Sequence, residues 1–289
     1  MSTEHRPHVP GQPARIAVCG DLTELSIESV FERLTVAGHT VELLDGGEAA
    51  DIVAGAQDAD ALMLGYGTVD GGVLRQLPRL EMIALASMGF DNVDLAAARQ
   101  RGVAVSNVVG AASEEVATHA LALALDAIRG VSAFDRAVRS GIWSIESAPT
   151  PRRASSLTLG VIGLGRIGMA LIERARPLFG SVIGYDPFLD DATISSRGVG
   201  PGTLDEVLRG ADVVSLHLPL TPETEGFLDA HAISGMRDGA ILVNVSRGGL
   251  VDSAALRDAL DEGRLAHAAL DVLDVEPPAP DHPLVGHAR

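Results

Sequence analysis

The chain has 289 residues, which suggests two domains, and 46% of them are hydrophobic, which is enough for sizeable cores. Only 3% are aromatic, so Ala, Val and Leu must fill those cores. The formal net charge of −17 argues against nucleic acid or an anionic membrane as a partner, because both are themselves negatively charged.

The single cysteine, Cys19, excludes an internal disulfide. It lies in an apolar run typical of a strand, so we interpret it as a small buried residue rather than a nucleophile. Residues 1–14 are polar and contain three prolines, and we expect a loose tail there. No apolar run has the length of a signal peptide or a membrane span, so the sequence predicts a cytoplasmic protein without a membrane partner.

The first part of the chain alternates strand-like and helical patterns. Short apolar runs predict strands at 16–19, 41–44, 61–64, 82–85 and 103–105, and a helical pattern covers 26–37. This alternation predicts an α/β domain over residues 1–107.

A helix is predicted near the start of a second domain, residues 108–289. Ser113 can cap this helix, and Glu114 and Glu115 favour its positive end. The segment then becomes apolar on nearly every face, so we expect it to be buried on all sides, as a linker between two domains would be. Residues 141–156 are typical of a loop, and a second α/β series starts at Leu157.

That second series opens with a dinucleotide-binding fingerprint. An apolar run enters Gly163-x-Gly165-x-x-Gly168, a helical pattern follows, and Asp186 stands at the end of the next apolar run. Gly163 permits a tight turn, Gly165 lets the backbone approach a pyrophosphate, and Gly168 lets the helix pack close to the strand. Asp186 can accept hydrogen bonds from both ribose hydroxyls and would repel a 2′-phosphate, so the pattern predicts NAD rather than NADP. The alternative for Asp186 is a plain turn residue.

Polar residues also follow three later apolar runs. His217 follows 213–216, Asn244 follows 240–243, and Asp271 follows 268–270. Because open α/β sheets bind ligands beyond the carboxyl ends of their strands, these positions are candidates for a binding crevice. The intervening helices carry ordinary start signals, a capping box at Thr203-x-x-Glu206 and a cap at Asp252.

Seven motifs follow one another from about Ala84 onward, at 89–94, 114–117, 163–168, 185–187, 217–221, 244–252 and 269–272 with Glu276-Pro277. In these motifs the chain resembles the D-2-hydroxyacid dehydrogenases, in the branch that contains phosphoglycerate dehydrogenases and C-terminal-binding-protein corepressors. The resemblance implies a flavodoxin-like substrate domain, a Rossmann NAD-binding domain, both with parallel sheets, and hydride transfer between NAD and a 2-hydroxy or 2-oxo acid.

The resemblance also implies roles for individual residues. Arg247 would bind the substrate carboxylate and carbonyl oxygen as the catalytic arginine, and Glu276 would support a catalytic histidine. Asp271 would contact the nicotinamide carboxamide. The loop of Ser87, Met88 and Gly89 would offer backbone N–H groups to the substrate carboxylate. The remaining cofactor contacts would come from Arg166, Ile167, His217, Pro219, Val245, Ser246 and Arg247. Without the resemblance, each of these has an ordinary structural interpretation, as a turn residue, a strand-end acid or a hydrogen-bonded histidine.

The acid–base histidine of the family stands in a Thr-Pro-His motif C-terminal to the glutamate, and that motif is not among the residues given. We expect His282 to be structural, His119 to make an internal hydrogen bond, His267 to lie in a helix-to-strand connection, and His287 to have nothing to hold it in place. Either the chain is a shortened form of an ordinary dehydrogenase, which we favour, or it is a short variant that binds NAD without efficient turnover.

Three further expectations concern substrate and assembly. Segment 65–70 lacks the arginine that phosphoglycerate dehydrogenases share near this point, and its absence weakens the case for a phosphorylated substrate. Residues 113–156 resemble the dimer-contact region of the family, so a homodimer is expected. No metal site is predicted. The alternatives are an NAD-responsive regulatory or scaffold protein of the same fold, and a different Rossmann enzyme such as a methyltransferase or an NADP-dependent reductase.

Overall fold

The computed structural model describes residues 12–19, 27–65 and 67–287. The chain divides into two compact units, Met1–Ala111 and Ala112–Arg289, against a predicted boundary between residues 107 and 108. Three predictions fall partly outside the described residues: positions 1–11 of the expected tail, Ser26 of the first predicted helix, and Tyr66 of segment 65–70.

Unit 1 is built around a five-stranded sheet in which every pair is parallel, in the order β2-β1-β3-β4-β5. This is the flavodoxin-like order, so that prediction is confirmed. The strands are β1 Arg15–Cys19, β2 Thr40–Leu43, β3 Ala61–Leu64, β4 Met82–Leu85 and β5 Ala104–Ser106, and the helices are α1 Ile27–Val36, α2 Ala49–Ala56, α3 Gly71–Gln76 and α4 Leu95–Arg101.

Cys19 lies in the core of unit 1 beside Leu62, Leu64 and Ile83, all of them fully buried. Burial, reinforced by the charge of Asp51, raises the pKa of its thiol. A thiol with a raised pKa is a poor nucleophile, which agrees with its interpretation as a small core residue.

Unit 2 contains a six-stranded parallel sheet in the order β11-β10-β9-β6-β7-β8, which is the Rossmann order. Its strands are β6 Thr158–Ile162, β7 Ser181–Tyr185, β8 Gly200–Pro201, β9 Val213–Leu216, β10 Ala240–Asn244 and β11 Leu265–Leu270. The helices are α5 Ser113–Arg129, α6 Val131–Arg139, α7 Arg166–Ala175, α8 Asp191–Ser196, α9 Leu204–Gly210, α10 Ala230–Gly235 and α11 Ser253–Asp261, with short 3₁₀ turns at Ile145–Ser147, Ala154–Ser156 and Gly248–Leu250. The predicted two-domain α/β fold is thus confirmed.

The capping signals of unit 2 agree with the sequence, with one exception. Thr203 and Glu206 form the predicted capping box, and the Asp252 carboxylate accepts from the N–H groups that open α11. The prediction for Ser113 was wrong, because Ser113 is the first residue of α5 and Ala112 holds the cap position without a side-chain bond.

The prediction that α5 is buried on all sides was also wrong. Its buried residues form one stripe at helical spacing, Ala117, Ala120, Ala124, Ala127 and Ile128, whereas Thr118, His119 and Ala122 are exposed. Alanines along this stripe let the helix lie close to β10, β11 and α7. Among the described residues, no single helix is long and apolar enough to cross a membrane; only α5 and α6, bent by 63° at their junction, reach that length and composition together.

A buried carboxylate holds the amino-terminal edge of this sheet. Asp212, which is 3% exposed, stands just before β9, and its Oδ2 accepts from the N–H of Thr158 at 2.9 Å. Its Oδ1 pairs with the guanidinium of Arg152, which also donates to the carbonyl of Gly239, and Arg237 approaches to 3.5 Å. The loop before β6 is thereby tied to the starts of three neighbouring strands.

Candidate active site

The carboxyl ends of five strands lie in one register row. Tyr185 pairs with Ile162, Ile162 with Leu216, Leu216 with Asn244, and Asn244 with Leu270. The next residue of each strand is one that the sequence singled out, in the spatial order Asp186, Gly163, His217, Val245, Asp271. Four strand spacings of about 4.8 Å separate the first from the last, so the row is roughly 19 Å long.

The three glycines of the fingerprint meet different constraints. Gly163 has φ of +94°, and a Cβ there would lie 2.5 Å from the carbonyl oxygen of His217, so both its conformation and its surroundings require glycine. A Cβ on Gly168 would collide with the carbonyl of Gly163. Gly165, at the N-cap of α7, has no protein atom within 4 Å of that position, so the space above it is open to a ligand.

Asp186 borders this open space. Its Oδ2 accepts from the N–H of Leu164 at 2.9 Å, and its Oδ1 accepts from the N–H of Phe188 at 3.0 Å. Each carboxylate oxygen keeps a further lone pair for a ligand hydroxyl. The surrounding cleft has a volume of about 560 Å³ and is lined by Leu164, Gly165, Arg166, Met169, Asp186, Phe188, Leu189 and Arg197.

His217 is held inside the row. Its Nε2 forms a 2.8 Å hydrogen bond with the hydroxyl of Ser215, and burial lowers its pKa to about 4, so the imidazole is neutral near pH 7. Its Nδ1 is buried without a hydrogen-bond partner among the described residues. A buried polar atom of this kind is costly unless a ligand or water satisfies it.

A short network fixes the loop that carries Arg247. The side chain of Asn244, 1% exposed, accepts from the N–H of Ser246 at 3.0 Å and donates to the carbonyl of Arg247 at 2.9 Å. The Ser246 hydroxyl donates to the carbonyl of Leu216 at the end of β9, at 2.8 Å. The partly buried Arg247 guanidinium donates to the carbonyl of Ser246 through Nη1. The backbone of this loop is therefore defined by strand-end contacts on both sides.

The loop after β11 packs directly on this one. A Cβ on Gly248 would collide with backbone atoms of Leu273 and Asp274, so only glycine allows the two loops to meet. Glu276 is exposed, and its Oε1 accepts from the N–H of Leu273 at 2.8 Å. Asp271 and Glu276 line one cavity of about 370 Å³. Asp271 is anchored through its own N–H, which donates to the carbonyl of Asn244 at 3.0 Å.

The predicted substrate loop belongs to unit 1. It follows β4, and the Ser87 hydroxyl donates to the carbonyl of Gly89 at 2.8 Å, while the Asn107 amide donates to the carbonyl of Met88 at 2.7 Å. Within the part of unit 1 that the structure describes, the backbone N–H groups of Ser87, Met88 and Gly89 donate to no protein acceptor. This loop therefore presents unpaired donors of the kind that hold a carboxylate.

The other histidines agree with the expectations only in part. His282 is structural as predicted, since its Nε2 lies 2.8 Å from Asp274 and its Nδ1 accepts from the N–H of Leu284. His119 was expected to make an internal hydrogen bond; its Nε2 instead lies at ion-pair distance, 3.2 Å, from Oδ1 of Asp271, without forming a hydrogen bond. His267 is inside β11 rather than in a connection, and burial lowers its pKa. The expectation for His287 was wrong, because its Nε2 lies 3.2 Å from Asp261.

Two residues that organise the site were not predicted as site residues, Ser215 and Asn107, whereas Asn244 was a candidate for the crevice without an assigned role. Ser215 is a buried polar residue in an otherwise apolar strand, and that contrast was visible in the sequence. Asn107 lies after β5, and nothing in the sequence connects it with the Met88 carbonyl. Among residues 12–19, 27–65 and 67–287, no group of three or more His, Cys, Asp or Glu side chains is arranged to hold a metal ion.

The residues of unit 2 fit a dinucleotide. No atom of the residues that the structure describes lies close to the Cβ position of Gly165, and the Asp186 carboxylate follows β7, the second strand of this sheet along the chain. The buried Nδ1 of His217 has no hydrogen-bond partner among the described residues, so a ligand atom could bind it. Fold and site together define a dinucleotide-binding protein of the Rossmann class.

Comparison with known proteins identifies the family. Residues 121–289 match the family described as "D-isomer specific 2-hydroxyacid dehydrogenase, NAD binding domain". The chain therefore belongs to the D-isomer-specific 2-hydroxyacid dehydrogenases, as the sequence motifs predicted, and the prediction of NAD as its cofactor is confirmed.

Individual relatives agree with this assignment. The chain is 40% identical over 269 residues to a D-3-phosphoglycerate dehydrogenase of Mycobacterium leprae (strain TN), covering 91% of this chain and 51% of that protein. It is 38% identical over 238 residues to a glyoxylate reductase of Korarchaeum cryptofilum (strain OPF8), covering 81% and 72%. A Staphylococcus aureus NAD-dependent formate dehydrogenase in complex with NAD superposes with a TM-score of 0.83 at 27% identity, covering 93% and 84%. The chain thus spans about half the length of the phosphoglycerate dehydrogenase.

Proposed function

We propose that this chain is an oxidoreductase that transfers a hydride between NAD(H) and a 2-hydroxy or 2-oxo acid. The observation that carries the proposal is the register row, in which the glycine turn, His217 and Asp271 follow neighbouring strands and Arg247 stands two residues beyond Val245. A ligand that extends along this edge would reach from the Asp186 cleft to the Arg247 loop.

Some residues along the row would bind polar groups of the cofactor, and others would line the groove between them. Asp186 would accept hydrogen bonds from the ribose hydroxyls, and Asp271 would accept from the carboxamide. The N-terminus of α7, with Gly165, Arg166 and Ile167, would hold the pyrophosphate. His217, Pro219, Val245 and Ser246 would line the groove between these two ends.

Arg247 would act on the substrate itself. NAD(H), when bound, supplies or accepts the hydride at the substrate C2 carbon. The guanidinium of Arg247 presents directed N–H donors that would hold the carboxylate and stabilise the negative charge that develops on the C2 oxygen during reduction. Glu276 would support the acid–base histidine of the family, which exchanges a proton with the C2 oxygen. We assign no residue of this sequence to that proton transfer.

The decisive experiment measures oxidation of NADH by a panel of 2-oxo acids, using the full-length gene product. Turnover that falls about 10²-fold or more in Arg247→Ala, with only partial recovery in Arg247→Lys, would support the proposal, since lysine retains the charge but not the planar fork. NADH binding without turnover of any 2-oxo acid would favour the alternative, an NAD-responsive regulatory or scaffold protein. A clear preference for NADPH would point to a different Rossmann enzyme.

The substrate class is proposed to be a 2-oxo acid without a phosphate group. Segment 65–70 lacks the expected arginine, and this difference supports the proposal. The unpaired N–H groups of the Ser87–Gly89 loop would hold the carboxylate that every 2-oxo acid carries, with or without a phosphate group. The relatives carry the names of both an enzyme of a phosphorylated acid and a glyoxylate reductase. Comparing kcat/KM for glyoxylate, hydroxypyruvate and 3-phosphohydroxypyruvate tests this choice, and a higher value for the phosphorylated acid would refute it.

We also propose a homodimer that forms through residues 113–156. Helix α6 has no buried residue, and large apolar side chains are exposed in the loop that follows, with Ile142 at 53%, Trp143 at 91% and Ile145 at 80%. An exposed apolar patch of this kind is typical of an interface. Light scattering should give twice the mass of one chain, and Trp143→Asp should shift it toward one chain.

We also propose a cytoplasmic location, with which the free, buried thiol of Cys19 is compatible. Fluorescence imaging of a tagged full-length protein tests it.

A further inference from the structure

One side-chain contact of Asp271, the residue proposed to bind the carboxamide, comes from a residue outside the seven motifs. The Nε2 of His119, on α5, lies 3.2 Å from Oδ1 of Asp271, and both side chains are about half exposed, at 49% and 52%. The alanine stripe of α5 lies close to β10 and β11, and this approach brings the exposed His119 within reach of the carboxyl end of β11. The pair therefore joins a helix to the last position of the register row.

The backbone of Asp271 is already fixed, so His119 acts on its side chain alone. The N–H of Asp271 donates to the carbonyl of Asn244, which sets the position of its Cα. Within the described part of unit 2, His119 is the side chain that pairs with this carboxylate, and no protein donor reaches Oδ2. One carboxylate oxygen thus lies at ion-pair distance from the imidazole, and the other has no protein donor among the residues described.

We propose that His119 is a positioning residue for the nicotinamide end of the cofactor. By holding Oδ1, it fixes the orientation in which Oδ2 of Asp271 accepts from the carboxamide. This inference rests on the proposed function, in which Asp271 contacts the carboxamide. Without His119 the carboxylate samples several rotamers, and ordering it on binding lowers the affinity for the nicotinamide half. The adenosine half, at the other end of the row, is unaffected.

Because exposed ion pairs contribute little to stability, variants at this position should fold. The test is a comparison of calorimetric affinities for NADH and for ADP-ribose, which lacks the nicotinamide, in wild-type protein, His119→Phe and His119→Gln. His119→Phe should bind NADH about five-fold more weakly, the upper range for one such pair, and ADP-ribose within about two-fold of wild type. His119→Gln retains a side-chain N–H donor and should restore most of the NADH affinity.

Two controls separate positioning from general damage. His231→Phe removes another exposed histidine of unit 2, on α10, and should leave both affinities unchanged. Combining His119→Phe with Asp271→Asn should weaken NADH binding no further than Asp271→Asn alone, because the histidine acts through the carboxylate.

The outcomes distinguish the inference from the proposed function. If wild-type protein binds neither ligand, the proposed function fails and the inference fails with it. If wild-type protein binds both, but His119→Phe weakens both equally, weakens neither, or adds to Asp271→Asn, then the inference alone is overturned.

Discussion

Substitution of Gly248 by alanine should displace the loop that carries Asp271 and Glu276 from the loop that carries Arg247. The added Cβ would lie within 3.0 Å of the backbone of both Leu273 and Asp274, a separation that real Cβ contacts essentially never show. Backbone atoms cannot rotate away as a flexible side chain can, so one loop must move on the order of 1 Å.

The size of the effect follows from this displacement. Overpacking of this kind costs about 1–3 kcal/mol of unfolding free energy, which for a chain of this size lowers Tm by several degrees. A displacement of about 1 Å at a reacting centre can lower the rate about 10²-fold. ADP-ribose affinity should remain near wild type, because the Asp186 cleft lies at the opposite end of the row.

The matched control is the neighbouring glycine. A Cβ on Gly249 would lie 3.1 and 3.3 Å from the two terminal methyl carbons of Leu220, a flexible and only partly buried side chain that can shift by a few tenths of an ångström, so Gly249→Ala should behave nearly like wild type. Thermal unfolding, calorimetry with NADH and ADP-ribose, and NADH oxidation by the full-length protein measure the three quantities. Unchanged Tm and unchanged NADH affinity in Gly248→Ala would show that the position of one loop does not depend on the other.

Three further predictions concern other parts of unit 2. Asp186→Asn removes the charge but keeps one carbonyl acceptor, so the affinity ratio of NADPH to NADH should rise by about ten-fold, and an unchanged ratio would refute its role in cofactor choice. Burial lowers the pKa of His217 from a reference of 6.5 to about 4. Between these two pH values the unfolded chain binds more protons than the folded chain, so the free energy of unfolding should fall as the pH drops from 6.5 toward 4. His217→Asn should weaken this dependence measurably in Tm–pH profiles, and parallel profiles would contradict it. Arg152→Ala should lower the free energy of unfolding, measured with denaturant, by about 2–3 kcal/mol, because the buried carboxylate of Asp212 loses its main cation. NADH affinity should stay unchanged, since the pair lies at the amino-terminal edge of the sheet. Adding Asp212→Ala to Arg152→Ala should recover part of the lost stability.

The fold could be predicted from local patterns with good precision. The predicted strands 61–64, 82–85 and 213–216 coincide with β3, β4 and β9, because short apolar runs bounded by turn residues have few other solutions in an alternating α/β chain. The environment of α5 could not be predicted in the same way. Its central residues 120–125 are all apolar, yet Ala122 among them is exposed, which shows that burial depends on what packs against a helix. A sequence pattern does not contain that information.

The candidate site shows a similar division. Residues that follow strands were predictable, since parallel strands present their carboxyl ends at one edge. The contacts between loops were not, because they depend on how two separate backbones approach one another. No pattern in the sequence indicates that Gly248 must be glycine on account of Leu273, or that His119 reaches Asp271 from a different element 152 positions away along the chain.

The two ends of the register row are built differently, and this difference bears on how a ligand would bind. At the Arg247 end, Asn244 and Ser246 bind backbone groups on both sides, and the adjacent loop packs directly against Gly248. At the Asp186 end the cleft is open, and Phe188 beside it is 91% exposed. Elements that must orient reacting atoms gain from being fixed before binding, whereas an end that only contributes affinity can be ordered by the ligand at little cost to the chemistry. The rigid backbone network at Arg247 is therefore what the proposed hydride transfer requires, since a loop ordered only on binding would spend part of the binding energy on its own folding.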